Sequence, residues 1–153
     1  LDNLRIFRFP NVVGAPATHG VIYDFIRKLK VNPNQLDVLG DGNQTKAYLH
    51  VDDLIDGMLF LAQKELISNE TPLFNLGPND NPIKVSWIAK KTVNIVSPNA
   101  KINFGKSKRG WVGDVPKFSY DTEKAKKAGW EPKLSSKKAV EKAINEIFSQ
   151  LEK

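Results

Sequence analysis

The chain has 153 residues and a mass of 17.1 kDa, with 41% hydrophobic and 26% charged residues and a net charge of +6. That suits one domain with its own core and argues against wholesale disorder. With no cysteine, a disulfide scaffold, a thiolate zinc site and a cysteine nucleophile are all excluded, and a reducing, cytoplasmic setting is expected.

Leu4 to Phe9 reads as a strand stopped by Pro10, followed by a turn-rich stretch to Gly14 and Pro16. Gly20 to Val31 carries a helical apolar stripe at Val21, Ile22, Phe25, Ile26 and Leu29. Leu36 to Leu39 is a short strand closed by Gly40-Asp41-Gly42-Asn43, and a short apolar stretch runs from Ala47 to Val51. Asp52 is placed to cap a helix with Leu54, Ile55, Met58, Leu59 and Leu61 inward, Asp53 being an exposed acid of its first turn. Leu73 to Gly77 is strand-like and leads to a turn at residues 79–82.

Ser86 then caps a helix with Ile88, Ala89, Val93 and Val96 inward, ended before Pro98. Lys101 to Phe104 looks extended, and residues 105–116 look irregular. A short helix runs from Asp121 to Ala128 and ends at Gly129. The last helix starts at Ser136 with a clean stripe of Ala139, Val140, Ala143, Ile144, Ile147, Phe148 and Leu151. Alternating strands and helices imply an α/β fold. Strand 4–9 is apolar on both faces apart from its arginines, like a strand inside a parallel sheet. No strand–helix unit precedes it, so its neighbours are expected upstream of this chain.

The charge is uneven. Residues 1–100 hold ten basic and ten acidic residues, and residues 101–153 hold thirteen and seven, which accounts for the whole +6. A basic C-terminal third suits a phosphorylated small molecule, but aromatic residues are not interleaved with it as a base-stacking surface requires, so no nucleic-acid partner is expected. No apolar run nears the ~18 residues of a membrane span, and no membrane partner is expected either.

Several motif matches fail on geometry. Gly105-Lys106-Ser107 ends like a phosphate-binding loop, but position 100 is Ala100 where that loop needs glycine. Gly40-Asp41-Gly42 lacks the third glycine of a dinucleotide fingerprint. Tyr120 and Lys124 have Tyr-x-x-x-Lys spacing, but a helix capped at Asp121 or Thr122 leaves Tyr120 outside it, unable to share a turn with the lysine. His19 and His50 are too few for a histidine-rich metal site, and no metal is expected; His50 reads as a structural tie between a strand end and a helix start.

Three segments remain. Arg8 to Gly14 puts Asn11 at the mouth of a strand, Gly40 to Leu54 sets Lys46 beside a turn, and Arg109 to Pro116 carries Arg109 and Asp114 on one loop. Two cations and a carboxylate on loops suit a pyrophosphate flanked by a ribose.

In this order the segments resemble the C-terminal half of the extended short-chain dehydrogenase/reductases that act on nucleotide sugars, the UDP-glucose 4-epimerase group and its NAD-dependent epimerase/dehydratase relatives. Arg8 to Gly14 resembles the family's Arg-Phe-x-Asn-x-x-Gly element, and Gly40 to Asp53 its Gly-x-Gly…His-Val-x-Asp segment. Phe74 to Gly77 resembles its Tyr/Phe-Asn-Leu-Gly strand, Arg109 to Asp114 its Arg…Gly-Asp loop, and Lys124 to Pro132 its Gly-Trp-x-Pro ending. Lysine stands at position 46 where the family usually has arginine, which loses the planar bidentate fit to phosphate, and the Arg109 loop is longer than the family's, with Lys108 a possible substitute.

The resemblance implies that residues 1–153 are the substrate-binding portion of an NAD-dependent nucleotide-sugar epimerase: the end of a parallel sheet plus a small mixed α/β lobe. The N-terminal NAD-binding Rossmann half, with its glycine-rich loop and Tyr-x-x-x-Lys pair, would be absent, and the chain alone would have no catalytic residue and negligible turnover. Phe9 and Pro10 would line the nicotinamide side of NAD. Asn11 would contact the sugar or its diphosphate, and Gly20 and Val21 would start a helix closing over the nucleotide. Asp37, Val38 and Leu39 would flank the base, Lys46 and Arg109 would clamp the diphosphate, and Asp114 would hold the ribose, with Tyr48 and Phe118 as further substrate contacts. The partners implied are a nucleotide-diphosphate sugar and either the Rossmann half or a second copy of the chain. The other readings are a nucleotide-sugar 4,6-dehydratase or reductase, and a non-catalytic nucleotide-sugar-binding or docking module.

Overall fold

The computed structural model describes residues 4–64, 72–108 and 120–152. In chain order these form β1 (Ile6–Arg8), β2 (Asn11–Val13), α1 (Val21–Val31), β3 (Gln35–Val38), β4 (Thr45–Lys46), β5 (Tyr48–His50) and α2 (Val51–Ala62). There follow β6 (Leu73–Asn75), β7 (Ile83–Lys84), α3 (Val85–Val96), β8 (Lys101–Phe104), α4 (Glu123–Lys127) and α5 (Ser136–Glu152). The fold is α/β. Among the described residues the strands associate in pairs: β1–β6, β2–β5 and β3–β8 are parallel, and β4–β7 is antiparallel.

Two apolar clusters hold these elements. The larger gathers Ile22, Phe25, Ile26 and Leu29 of α1, Leu36 and Val38 of β3, Ile88, Ala89 and Val93 of α3, and Val140, Ala143, Ile144 and Ile147 of α5. Each helix brings its apolar residues at spacings of three and four, so one stripe faces the neighbours. Full burial of one such isoleucine or leucine stabilises by about 1.5–3 kcal/mol. The smaller cluster joins Leu49 of β5, Leu54 and Leu61 of α2, Phe74 and Leu76 at β6, Ala125 of α4 and Trp130. Its centre depends on Gly57, because a Cβ there would lie 2.5 Å from the Trp130 ring.

The start of α5 is held from a distance. Asp80 accepts from the Ser136 backbone N–H at 2.6 Å and from its hydroxyl at 2.7 Å, while the Ser136 hydroxyl accepts from the Tyr48 N–H at 3.2 Å. A carboxylate at a helix N-terminus pairs its orphan amides and complements the dipole.

The structure corrects the sequence reading at several places. Residues 11–13, read as part of a turn-rich stretch, form a strand, because Pro10 only offsets the chain from β1 to a second parallel partner, β5. The strand expected over residues 4–9 is shorter, Ile6–Arg8; it pairs with β6 among the described residues, and Ile6 stays 42% exposed. The cap of α2 is His50, whose ring accepts the Asp52 N–H, and not Asp52 itself. Asp53 is buried and accepts the Leu134 N–H at 3.1 Å, because the 131–135 segment folds back over the start of α2. Of the expected inner face of α2 only Leu54 and Leu61 are buried; Ile55 and Leu59 are well exposed, and Met58 lies at the margin with 36%. Ser86 is inside α3, whose cap position is Lys84, with no side-chain cap.

Candidate functional site

The parallel pair β3–β8 runs in register from Gln35↔Lys101 to Val38↔Phe104. Backbone bonding continues past both carboxyl ends: Gly105 N–H donates to Val38 O at 3.1 Å, and Asp41 N–H donates to Ser107 O at 2.8 Å. Loops beyond the carboxyl ends of parallel strands are where α/β folds place ligands. Here the two loops are fastened together. Gly42 sits at φ +75, and a Cβ on it would lie 2.5 Å from the Phe104 ring, so the loop closes against that ring only with glycine.

Asp41 accepts the Asn43 N–H at 2.9 Å, and this backbone bond, first among its causes, holds the Asp41 carboxyl below the ordinary carboxylate value. Buried Gln44 spans the gap, its side-chain Nε2 donating to Lys108 O at 3.3 Å while its backbone carbonyl accepts Val85 N–H at 3.0 Å. Lys84 Nζ donates to Asn43 Oδ1 at 3.3 Å. The loop that leads into half-buried Lys46 therefore lies beside Lys84 and the backbone of Lys108, so three lysines and the Asp41 carboxylate belong to one stretch of surface.

Lys46 pairs with Ile83 in β4–β7, and two residues later Tyr48 pairs with Asn11 in β2–β5. Two residues of extended chain, about 7 Å, thus separate Lys46 from the residue opposite Asn11. Asn11 is exposed, and next to it Pro10 is buried. Phe9 is 41% exposed, and its carbonyl accepts the Tyr120 hydroxyl at 3.0 Å. Tyr120 lies outside α4, as the spacing argument requires.

The remaining residues singled out from the sequence are spread out. Gly20 (φ +100) is the N-cap of α1, and Val21 begins that helix. Tyr48 is only 4% exposed and belongs to the larger core cluster. Val38 is buried, and Leu39 is 65% exposed. Exposed Asp37 receives Asn103 Nδ2 at 3.0 Å and Gln35 Nε2 at 2.9 and 3.1 Å, and these bonds, Asn103 first, hold its carboxyl below the usual range. Asp37 also edges an open depression of about 360 Å³ with Asp24, Arg27, Lys28, Val31, Asn32 and Gln35, a lining that includes none of the other predicted residues. Arg109, Asp114 and Phe118 lie outside the described residues.

A second polar cluster was not foreseen. The His50 ring is buried, with Nδ1 accepting the Asp52 N–H at 3.2 Å, which puts its proton on Nε2, 3.0 Å from Glu146 Oε2. Ligand atoms of His50, Asp52 and Glu146 lie within 4.8 Å of one another, a spacing that admits a cation. The Lys142 ammonium already fills that role, 2.6 Å from Asp52 Oδ2 and 3.5 Å from Glu146 Oε1. Both ring nitrogens of His50 are engaged, so the cluster is an ion-pair network. Glu146 escaped sequence reasoning because it lies far along the chain from His50; the one available signal was the polar row Lys142, Glu146, Gln150 beside the apolar stripe of the last helix.

Comparison with known proteins converges on one group. Residues 3–77 match the family described as the NAD dependent epimerase/dehydratase family. A crystal structure of UDP-galactose 4-epimerase superposes with a TM-score of 0.80 at 33% identity, covering 95% of this chain and 45% of that protein. The chain belongs to the NAD-dependent epimerase/dehydratase family.

Within that family, UDP-glucuronic acid decarboxylase 4 of Arabidopsis thaliana is 34% identical over 122 residues, covering 78% of this chain and 25% of its own length. A Bacillus cereus UDP-glucuronic acid 4-epimerase, solved with UDP-glucuronic acid and NAD, shares the fold with a TM-score of 0.74 at 23% identity, covering 96% of this chain and 45% of that one. The chain therefore spans less than half the length of each of these relatives. They include a decarboxylase as well as epimerases, so family membership alone does not select an isomerase. Among the described residues no helix is long and apolar enough to cross a membrane.

Proposed function

We propose that this chain is the C-terminal, substrate-binding portion of an NAD-dependent nucleotide-sugar 4-epimerase of the UDP-glucose type, and that it grips the diphosphate and ribose of the substrate. The observation that carries this reading is the approach of Lys46 to Asn11 through the β4–β5–β2 connection, beside a loop pair that Gln44 ties to Lys108. Lys46 and Arg109 neutralise the diphosphate, with Lys108 close to hand, Asn11 donates to the sugar or phosphate, and Asp114 accepts from the ribose hydroxyls. Asp37, Val38 and Leu39 border the base; Gly20 and Val21 open the helix that covers the nucleotide. Tyr48 acts from the core, through the strand it shares with Asn11, and Phe118 lines the nucleotide.

In the whole enzyme NAD supplies the hydride acceptor. Phe9, an exposed apolar ring at the carboxyl end of a parallel strand, fits the nicotinamide side and, with Pro10, is this chain's share of that site. Proton transfer belongs to a Rossmann half outside these residues, so the chain alone turns over no substrate. The exposed apolar side chains of Ile6 in β1, Phe9 just after it, and Ile55 and Leu59 in α2 support a lobe that packs on such a half. Cytoplasmic location completes the reading. A second reading, decarboxylation of a nucleotide-linked uronic acid in the whole protein, is favoured by the Arabidopsis relative.

Titration of the chain with UDP tests the proposal. Lys46→Ala removes one charge-assisted contact and is expected to weaken binding by about 10- to 100-fold, the equivalent of about 1.5–3 kcal/mol. Unchanged affinity in Lys46→Ala, or wild-type protein that does not bind UDP, overturns it.

A further inference from the structure

We infer that Gln150 and Glu146 are positioning residues for the nucleotide site, acting through the segment between β2 and α1. The inference rests on the proposed roles of Asn11 and Gly20, which stand at the two ends of that segment. Lys142, Glu146 and Gln150 follow one another at i, i+4 along α5, so their side chains form one polar row. The row is rigidly based, because Ala139, Val140, Ala143, Ile144 and Ile147 beside it are buried in the larger core.

Each member holds a different part of the chain. Lys142 holds Asp52 at the start of α2. Glu146 Oε2 accepts from His50 and from the Ala15 N–H at 3.3 Å. The Gln150 amide bonds Ala17 twice, its Oε1 accepting the Ala17 N–H at 2.8 Å and its Nε2 donating to the Ala17 carbonyl at 2.8 Å. Gln150 thereby treats Ala17 as a neighbouring strand would, satisfying both backbone groups of a residue that no strand pairs.

The segment is only partly fixed by burial: Ala15 and Ala17 pack on the larger core, while Pro16, Thr18, His19 and Gly20 are exposed. Its path from Asn11 to the α1 N-cap is set by that packing together with these side-chain bonds, which act at the two half-buried alanines. A preorganised path removes ordering cost from ligand binding, so the bonds influence affinity more than global stability. Glu146 ties the same segment to His50, on the strand that pairs with Asn11, so one carboxylate coordinates both edges of the site.

The test is UDP affinity measured beside thermal unfolding for wild type, Gln150→Ala, Glu146→Ala and Glu146→Gln. Gln150→Ala is expected to lose about 10-fold in UDP affinity, the equivalent of two net hydrogen bonds, with a small change in melting temperature. Hydrogen exchange at the Ala17 amide is expected to speed up, with the amides of α5 unchanged. Glu146→Gln keeps an acceptor for Ala15 and is expected to recover most of the affinity that Glu146→Ala loses. Wild-type affinity in both alanine variants overturns the inference alone, as does loss of affinity in strict proportion to lost stability. A wild-type chain that does not bind UDP removes the proposed function and this inference with it.

Discussion

The two apolar clusters are built from similar side chains but finished differently. The larger one, between α1, α3 and α5, is covered by elements of the chain itself, and Ile26, Ile88, Val140 and Ile144 have no exposed surface. The smaller one, around Trp130, buries one side of α2 and leaves the other open, with Ile55 51% and Leu59 60% exposed. The first region is thus a self-contained core, and the second leaves apolar side chains of α2 exposed.

Breaking each region separately sharpens the contrast. The largest effect is expected from Ile144→Ala, which opens a cavity in a site with no exposed surface. A loss of about 2–5 kcal/mol in urea unfolding, with the whole chain melting together, is the expected outcome. Next is Gly57→Ala, whose Cβ would press on Trp130 at 2.5 Å. Overpacking of this kind costs about 1–3 kcal/mol. Hydrogen exchange is expected to show the loss first at the Trp130 amide, which bonds Ala125 O, and late at α1. Equal and simultaneous loss in both regions would show that the clusters unfold as one unit.

The smallest effect concerns the contact that joins the regions. Lys142, whose hydrogen bond is the first cause, holds the Asp52 carboxyl below its ordinary value of 3.8, and the same bond raises Lys142 above 10.5. A lowered carboxyl contributes stability above its unfolded value and loses it as pH falls through the folded one. The acid window therefore lies below about pH 4. A raised ammonium contributes below its unfolded value, and that contribution is lost as pH climbs through a folded value above 10.5. Asp52→Asn is expected to flatten the acid limb slightly, and a limb identical to wild type would show that the pair contributes nothing.

Much of the architecture was legible in the chain because it is local. The stripes of α1, α3 and α5 recur every three to four residues, and the strand at residues 101–104 and the glycine ending α4 appear where the pattern puts them. The order of the Asn11, Lys46 and Gly77 segments was enough to point to the family. The inner face of α2 was misread because Ile55, Met58 and Leu59 are as apolar as Leu54 and Leu61. Periodicity cannot say which of two apolar sides meets Trp130, a residue far along the chain that admits no side chain at Gly57.

The caps were misread for a related reason. Asp52 and Ser86 are good capping residues, but His50 supplies the acceptor for α2, and α3 starts at Val85, ahead of Ser86, with no side-chain cap. What the amino-acid order determined by itself was the helices, the longer strands, the apolar stripes of α1, α3 and α5 and the family, since these depend on neighbours within a turn or two. Which polar side chains meet was decided only in three dimensions. Gln44 with Lys108, Glu146 with His50 and Ala15, and Gln150 with Ala17 are bonds between residues 64 to 133 positions apart. No local propensity encodes such a meeting: a hydrogen bond needs its partners within about 3 Å, and only the packing of the core brings those segments so close.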